Sequence, residues 1–600
     1  MMNLRLAMVQ MNAVVGDLEG NVRAICRWIR EAKKAKADVV VFPELAVSGY
    51  PPEDLLLMPQ FLRDVHGMQT QIAKASVGLV AVVGSVGRPQ KNPFKTNPAP
   101  NPFDFSESHK PMNVAWVFAR GRLLASYAKH KLPNYGVFDE QRYFQEGSVN
   151  PIVCLGSIRI GINICEDIWF ADGPAHTQVK HGGAQVILNL NASPFHVGKT
   201  RTRRRMLAAR AKEHGVFVSY TNMVGGQDEL VFDGNSLMFD PRGELIAHAK
   251  AFEEDLVLTD LAIPSLPVIQ FKKIGTISPL QKRRGISFIR IPWRSSSPPP
   301  LSSAVARSSS SMSESEAIYR ALVLGVRDYA RKNGFSKVVV GISGGIDSAL
   351  TALIARDALG ASKVVGVMMP SPYTSSASKN DSRALAKNLG MDMQNIPITP
   401  LFKAFLRQLR PLFQGCSVDA TEENLQARIR GTLLMALSNK FGYLVLTTGN
   451  KSEMSVGYAT LYGDMAGGFA VIKDIPKTRV YQLARWRSDY QGRDFDPVGI
   501  PERIHSRAPS AELKANQTDQ DSLPPYSQLD AILQAYVEHN QSKKTIAKSG
   551  YPVHVVQKVL GLVDQSEYKR RQAPIGIKIT ARALGKDRRM PITNLYPPKG

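Results

Sequence analysis

Cysteine is scarce in this sequence. The 600-residue chain holds four, Cys26, Cys154, Cys165 and Cys416, widely spaced, with no Cys-x-x-Cys pair and no neighbouring histidines. Neither a disulfide framework nor a zinc site is encoded, so any special cysteine here is chemical rather than structural. No apolar stretch approaches the roughly 20 residues of a membrane span, and Met1–Gln10 runs straight into a strand-like pattern without the layout of a signal peptide. A cytoplasmic protein without a membrane partner is expected. Also missing are internal repeats, the GxxxxGK[ST] phosphate loop and the GxGxxG spacing of dinucleotide folds. Acidic residues are outnumbered, 51 against 76 Lys and Arg, which leaves a formal net charge of +25. Such an excess can mark a nucleic-acid binder. Here it falls in short clusters (Arg201–Arg205, Lys282–Arg284, Lys569–Arg571, Arg588–Arg589) with no RNA- or DNA-binding motif beside them. Anionic small substrates and a generally basic surface account for the balance, and no nucleic-acid partner is expected.

What is present is length and order. The chain is longer than one hydrophobic core normally serves, so at least two domains are expected; its 44% hydrophobic and 21% charged content is that of a soluble globular protein. In the first part, β-like runs (Leu4–Gln10, Val39–Phe42, Val80–Val83, Ile158–Ile164, Val186–Asn191, Val216–Thr221) alternate with helical patterns. Arg88–Pro111, rich in Pro, Asn, Lys and Phe, has the composition of an inserted surface loop. Ser295–Ser315 contains Ser-Ser-Ser-Pro-Pro-Pro and a second run of serines, which cannot bury a core and reads as a linker. A second α/β pattern then runs from Glu316 through Val338–Val340, Val364–Met369 and Leu444–Thr448. The expected division is a domain over 1–265, a Ser/Pro-rich linker over 266–315 and a domain over 316–600.

The second domain opens with Gly341-Ile342-Ser343-Gly344-Gly345-Ile346-Asp347-Ser348, set between an apolar run and a helix-like stretch. A strand that ends in Ser-Gly-Gly-x-Asp-Ser offers backbone N–H groups, two hydroxyls and a helix N-terminus to one small volume, which suits an oxyanion cluster such as pyrophosphate. A carboxylate beside phosphates repels them unless a divalent cation intervenes, so Asp347 makes sense as a Mg²⁺ ligand. The loop resembles that of the ATP-pyrophosphatase superfamily. Further on, Thr421–Gly442 has a helical pattern with Asn424 and Arg428 on one face. Leu444–Asn450 reads as a strand breaking into a loop, with Glu453 just beyond. "SGGIDSA", "TEENLQARIRG", "TTGNKSE" and "YGDMAGGFAVIKD" together resemble the ammonia-dependent NAD⁺ synthetases. The resemblance implies a Rossmann-like parallel-sheet fold, ATP contacts from the Gly341–Ser348 loop and Thr448, and deamido-NAD⁺ contacts from Asn424, Glu453 and Lys569. It also implies Mg²⁺ on Asp347 and Glu453, and a mobile loop over Ser510–Tyr526.

In the first domain, three β-like runs end in reactive residues: Val41-Phe42-Pro43-Glu44, Tyr127-Ala128-Lys129-His130-Lys131-Leu132-Pro133, and Gly161-Ile162-Asn163-Ile164-Cys165-Glu166-Asp167. Strand ends hold side chains rigidly at the mouth of a pocket. A thiol needs an activating base, and a carboxylate with a nearby ammonium supplies proton transfer and oxyanion stabilisation. The strings "FPELAVSGYPPEDLL", "KHKLPNYGVFDEQRYF" and "GINICEDIWF" resemble the glutamine-hydrolysing branch of the nitrilase superfamily. The resemblance implies an α-β-β-α sandwich with Cys165 as nucleophile, Glu44 as base and Lys129 as third member. Lys131 competes for that last place, and the family pattern Lys-x-x-Leu-Pro favours Lys129. Glu140 would orient the substrate, with Tyr135, Ser193 and Lys199 at the amino-acid end of glutamine.

The order glutaminase, linker, synthetase resembles the glutamine-dependent NAD⁺ synthetase family. That resemblance implies ATP-dependent amidation of deamido-NAD⁺ with ammonia from glutamine, Mg²⁺ as cofactor, an enclosed path for ammonia and a homo-oligomer. A different ATP-pyrophosphatase amidotransferase would carry an unrelated glutaminase domain. A binding protein that had lost the chemistry would not keep a competent residue at every catalytic position.

Overall fold

In Met2–Gln10 (β1), Leu4, Leu6 and Met8 alternate into a buried core, while Arg5, facing the other way, pairs at 2.7 Å with Asp260, its partner across the ladder. This two-residue period recurs through the first part of the chain. The strands that follow are Val39–Val41 (β2), Val80–Gly87 (β3), Met112–Ala119 (β4), Arg122–Ala128 (β5), Asn150–Leu155 (β6), Ile158–Ile164 (β7), Val186–Asn191 (β8) and Phe217–Asn222 (β9). After them come Val224–Gln227 (β10), Leu230–Asp233 (β11), Leu237–Phe239 (β12), Leu245–His248 (β13), Asp255–Ile263 (β14) and Ile286–Ile291 (β15). The computed structural model describes residues 2–88, 110–265, 285–293, 312–514 and 517–596.

Two sheets form, ordered β14-β1-β2-β3-β4-β5 and β13-β12-β9-β8-β7-β6-β15, with β10 and β11 as a separate ribbon. Leu6, Val41, Val82 and Val117 of the first meet Ile160, Ile162, Ile164 and Leu188 of the second in one core, each such side chain contributing roughly 1.5–3 kcal/mol by leaving water. Outside the second sheet, Leu207 and Ala211 of the helix Lys199–His214 pack on Ile187, Val218 and Tyr220. Outside the first lie the helices Leu18–Lys34, Pro59–Gly67 and Gln69–Ala75. The layering is α-β-β-α. Parallel pairing of β1 with β2, β2 with β3, β7 with β8, and β8 with β9 points several strand C-termini to one edge.

In the second part, Val338–Gly341 (β16), Val364–Met368 (β17), Asp392–Asn395 (β18), Leu444–Thr447 (β19) and Phe469–Ala470 (β20) build an all-parallel sheet ordered β18-β17-β16-β19-β20. Val338, Val339 and Val340 are all fully buried, as expected of a central parallel strand covered on both faces. Val339, Val365, Val367 and Val445 share a core with Ile429 and Leu434 of the helix Ala420–Phe441, while the helix Ile346–Leu359 covers the opposite face. The chain then enters a helical region whose core includes Leu529, Ile532, Val559 and Leu560.

By its contacts the chain divides into two compact units, Met1–Gln227 with Phe232–Ser311, and Asp228–Val231 with Met312–Gly600. The expected linker over 266–315 is corrected at two places, because Ile286–Ile291 is a strand paired in parallel with β6 and the helix Glu314–Lys332 already begins at its end. The strand's Ile286 and Phe288 pack into one core and its Ile289 and Ile291 into the other, an apolar hexapeptide hidden by the average composition around it. The rest of that linker reading (266–284 and 294–311), and the loop read between Arg88 and Pro111, lie outside the described residues apart from their ends.

Candidate active sites

Glu44 follows β2 by three residues and folds back over β3. The close approach needs Gly84, where a Cβ would sit 2.1 Å from the Pro43 carbonyl oxygen and 2.7 Å from Glu44 Cα. The Glu44 carboxylate is held by three donors: Oε1 accepts from Lys129 Nζ and from Asn113 Nδ2, each at 2.7 Å, and Oε2 from the Ala192 amide at 2.9 Å. Lys129, one residue past β5, also donates to Glu140 Oε1 at 2.8 Å, and that oxygen accepts the Tyr50 hydroxyl at 2.9 Å. The Lys129 side chain has no exposed surface. Lys131, by contrast, is exposed, its ammonium 5.1 Å from the Phe170 ring centroid. Two carboxylates thus share one buried ammonium, leaving a local excess of negative charge. Burial, opposed by Lys129, pushes the Glu140 carboxyl up to about 7, and its Oε2 is buried with no hydrogen-bond partner among the described residues.

Cys165 follows β7 directly, at the start of the short turn Cys165–Trp169, with φ at +44°. A non-glycine residue in the left-handed region is uncommon and stores strain, here at a thiol. Burial pushes that thiol well up from its ordinary value, and Glu44 adds to this while Lys129 opposes it. A thiol raised in this way needs a base beside it to become the nucleophilic thiolate.

Around it lie the other residues expected at the first site. The Tyr135 hydroxyl donates to Glu166, 3.0 Å from each carboxylate oxygen. Ser193 is buried, its amide donating to Asn222 Oδ1 at 2.9 Å. Lys199 opens its helix with Nζ 4.4 Å from the Trp169 ring centroid, and burial followed by Arg203 lowers its pKa. Sequence reasoning passed over Arg203 as one of a basic cluster. It is fully buried, paired with Asp233 at 3.1 Å, and reaches Ser193 Oγ at 3.2 Å, so it belongs to the site wall and not to a surface patch. Asn113 and Tyr50 were also missed, and no local spacing marks them, while Glu166 and Asp167 stood in the Cys165 string without a role of their own.

In the second unit, the Gly341–Ser348 loop leaves the central strand β16 where the strand order diverges to β17 on one side and β19 on the other, the usual ligand position in open parallel sheets. Ser343 Oγ lies 3.1 Å from Ser348 Oγ and accepts the Gly345 amide at 3.2 Å. Gly344 has φ at +82°, and a Cβ there would meet the Ser378 carbonyl oxygen at 2.6 Å. A cavity of about 840 Å³ opens over the loop, lined among others by Ser343, Asp347, Asn424, Thr448, Glu453 and Lys569. Gly341 and Ile342 do not line it, since Gly341 completes β16 and Ile342 is buried beneath. Asn424 Oδ1 accepts from Thr460 Oγ1 at 2.8 Å, and Lys569 Nζ donates to the carbonyls of Gly457 and Ala459, each at 2.8 Å.

Glu453 stands at the third position of the helix Lys451–Val456, in a capping box with Asn450. Asn450 Nδ2 also donates to Asp347 Oδ1 at 2.9 Å. Lys477, unnoticed within "VIKDIPKT", places its ammonium between the two carboxylates, bonded to Asp347 Oδ2 and 3.1 Å from Glu453 Oε1. Burial pushes Glu453 up to about 7 against the opposing effect of Lys477. Asp347 and Glu453 offer carboxylate oxygens, the donor type that Mg²⁺ takes together with substrate phosphates and water; in this structure the Lys477 ammonium lies between them. No third His, Cys, Asp or Glu joins them among the described residues. Across the mouth, the expected closing loop is tied to both walls: Leu513 O accepts from Gln426 Nε2 at 2.9 Å, Gln517 Nε2 donates to Glu423 Oε2 at 3.1 Å, and Glu512 Oε1 accepts from Ser378 Oγ at 3.0 Å. Among the described residues no helix is long and apolar enough to cross a membrane.

Comparison with known proteins agrees with this two-site layout. The carbon-nitrogen hydrolase family model matches residues 5–267 and the NAD synthase family model residues 318–573. The glutamine-dependent NAD(+) synthetase of Thermotoga maritima is 44% identical over 607 aligned residues, covering 99% of each chain. That of Aquifex aeolicus is 46% identical, covering 99% of this chain and all of the relative. The solved structure of glutamine-dependent NAD+ synthetase from Acinetobacter baumannii, in complex with ADP, aligns over the full length of both chains with 38% identity and a TM-score of 0.71. A nitrilase-type hydrolase unit and an NAD synthase unit, matched end to end at such identity, place the chain in the glutamine-dependent NAD⁺ synthetase family.

Proposed function

We propose that the chain makes NAD⁺ from deamido-NAD⁺ and ATP with nitrogen taken from glutamine. The observation that carries the first half is the buried Lys129 ammonium clamped between Glu44 and Glu140 beside Cys165. Glu44 takes the Cys165 proton as sulfur attacks the carboxamide carbon. Two of the three Lys129 donors are engaged, leaving one for the oxyanion of the tetrahedral intermediate. Glu44 returns the proton as the C–N bond breaks, ammonia departs, and the thioester is hydrolysed by water to glutamate. Lys199, Ser193 and Tyr135 with Glu166 offer cationic, hydroxyl and anionic partners to the α-carboxylate and α-ammonium of glutamine. Glu140 Oε2, which has no hydrogen-bond partner among the described residues, is available to orient the amide.

In the second unit the nicotinate carboxylate of deamido-NAD⁺ attacks the α-phosphorus of ATP and releases pyrophosphate. Ammonia then displaces AMP from the adenylate to give NAD⁺. The loop amides of Gly344 and Gly345, the Ser343 and Ser348 hydroxyls and Thr448 hold phosphates; Asn424 and Lys569 face the dinucleotide. Asp347 and Glu453 would hold Mg²⁺, which when bound neutralises charge on the phosphates. The Ser510–Tyr526 segment, tied to the cavity walls through Glu512, Leu513 and Gln517, would exclude water from the adenylate.

Cys165→Ala is the test. Glutamine-driven NAD⁺ formation should vanish while synthesis from ammonium salts persists, and glutamine-driven turnover in this variant would refute the nucleophile. A cytoplasmic site of action accords with the substrates, which are intracellular nucleotides, and cell fractionation checks it. We also propose a homo-oligomer, supported by Leu401, Phe405 and Phe441, which are 41%, 47% and 55% exposed on neighbouring helices. Sedimentation of a triple Ser variant at these positions should show a smaller particle.

A further inference from the structure

Asp167 is fully buried, and its carboxylate collects four donors from two segments of the chain. Oδ1 accepts the backbone amides of His130 at 3.1 Å and Lys131 at 2.8 Å, the two residues that follow Lys129. Oδ2 accepts the Ile164 amide at 3.0 Å, immediately before Cys165, and the Tyr127 hydroxyl at 2.7 Å. Among the described residues no cationic side chain donates to it, and the His130 imidazole beside it stacks on Tyr127 at 5.3 Å with its own Nε2 3.3 Å from the Val149 carbonyl. One carboxylate therefore ties the end of β5, which carries Lys129, to the turn after β7, which carries Cys165. Neither segment is bonded to the other by strand pairing, since β5 closes one sheet and β7 lies within the other. The left-handed backbone of Cys165 has to be held by its surroundings, and the Ile164–Asp167 bond spans it.

We infer that Asp167 is the positioning residue of the first site, setting the Lys129 ammonium and the Cys165 thiol in register by holding both segments on one carboxylate. This rests on the reading of Cys165, Lys129 and Glu44 as the glutaminase centre. Asp167 touches no substrate in this role; it acts through the two residues it places. Bonds from backbone amides to a buried carboxylate are charge-assisted and stronger than neutral ones, so an amide in its place would leave donors facing donors.

The test is Asp167→Asn in the full chain. Turnover of glutamine should fall about 10²-fold, the scale of an ångström-sized misplacement, with KM for glutamine little changed and ammonium-driven NAD⁺ synthesis intact as the measure of folding. The pH profile of Cys165 alkylation by iodoacetamide supplies the sign. Glu44, Glu140 and Glu166 raise the thiol and Lys129 lowers it. If Lys129 moves away, the profile shifts to higher pH; if Asp167 acts only through its own charge, its loss shifts the profile to lower pH, which overturns the proposal. Unchanged turnover with an unchanged profile overturns it too. Should Asp167→Asn not fold, Tyr127→Phe removes a single donor at constant shape, and the same split in kcat and upward shift, at smaller size, is required. Activity with glutamine in Cys165→Ala would instead bring down the underlying centre, an outcome distinct from failure at Asp167.

Discussion

Replacing Lys129 by methionine removes the one positive charge from a buried cluster while leaving its volume filled. The parent ammonium bonds to Glu44 and Glu140, side chains that are 1% and 5% exposed. Stranding a partner of a buried ion pair costs about 3–5 kcal/mol, which corresponds to a loss of on the order of 10 °C in Tm of the first unit. The loss depends on pH. Glu140 already sits at about 7, above its ordinary 4.5, and losing Lys129 moves it further up. A carboxyl raised in the folded state binds more protons folded than unfolded, so its stabilisation is complete below 4.5 and disappears as pH climbs through the raised value. Lys129→Met should therefore be close to parental stability near pH 5 and clearly weaker at pH 8. Without the oxyanion donor, glutamine turnover should fall ~10²–10³-fold, with ammonium-driven synthesis retained. Lys131→Met, which removes an exposed cation from above one ring, should cost about 0.5–1 kcal/mol and little activity. Thermal unfolding at the two pH values and steady-state glutaminase rates decide the matter. A larger loss at Lys131, or a destabilisation by Lys129→Met that is equal at both pH values, would refute the reasoning.

Asp347→Asn keeps size and removes charge, so activity with either nitrogen source should drop ~10²-fold or more and demand more Mg²⁺, while free glutaminase turnover survives; normal AMP release at parental Mg²⁺ would contradict the role. Gly344→Ala forces a Cβ against the Ser378 carbonyl at positive φ, which should raise KM for ATP and lower the Tm of the second unit, read by calorimetry. With Glu453 held at about 7, its protonated form is the poorer ligand, so the Mg²⁺ concentration for half-maximal synthesis should rise as pH falls from 8 to 6; a flat response argues against Glu453 as a ligand.

Some of this was legible along the chain and some was not, for one physical reason: backbone conformation and turn chemistry are local, whereas convergence is not. The strand-loop-helix at Gly341–Ser348 and the strand ends at Glu44, Lys129 and Cys165 are encoded by neighbouring residues, and the strings around them carried the family resemblance. The choice between Lys129 and Lys131 is another matter. A period of two sends both to the same face of an extended segment, and only the meeting of Lys129 with Glu44, 85 residues away, buries one and leaves the other in water. The same holds for the Ala192 amide on Glu44 across 148 residues, for Lys477 closing on Asp347 across 130, and for Arg203, whose sequence neighbours advertise a basic surface while Asp233 draws it inside. Ile286–Ile291 shows the limit from the other side: six residues too few to outweigh the serines and prolines around them become a strand because β6 has an edge to pair with. Local sequence decides which elements form and which reactive groups end them; sheet order and register decide which of those groups meet, and so which charges lose their water and become chemistry.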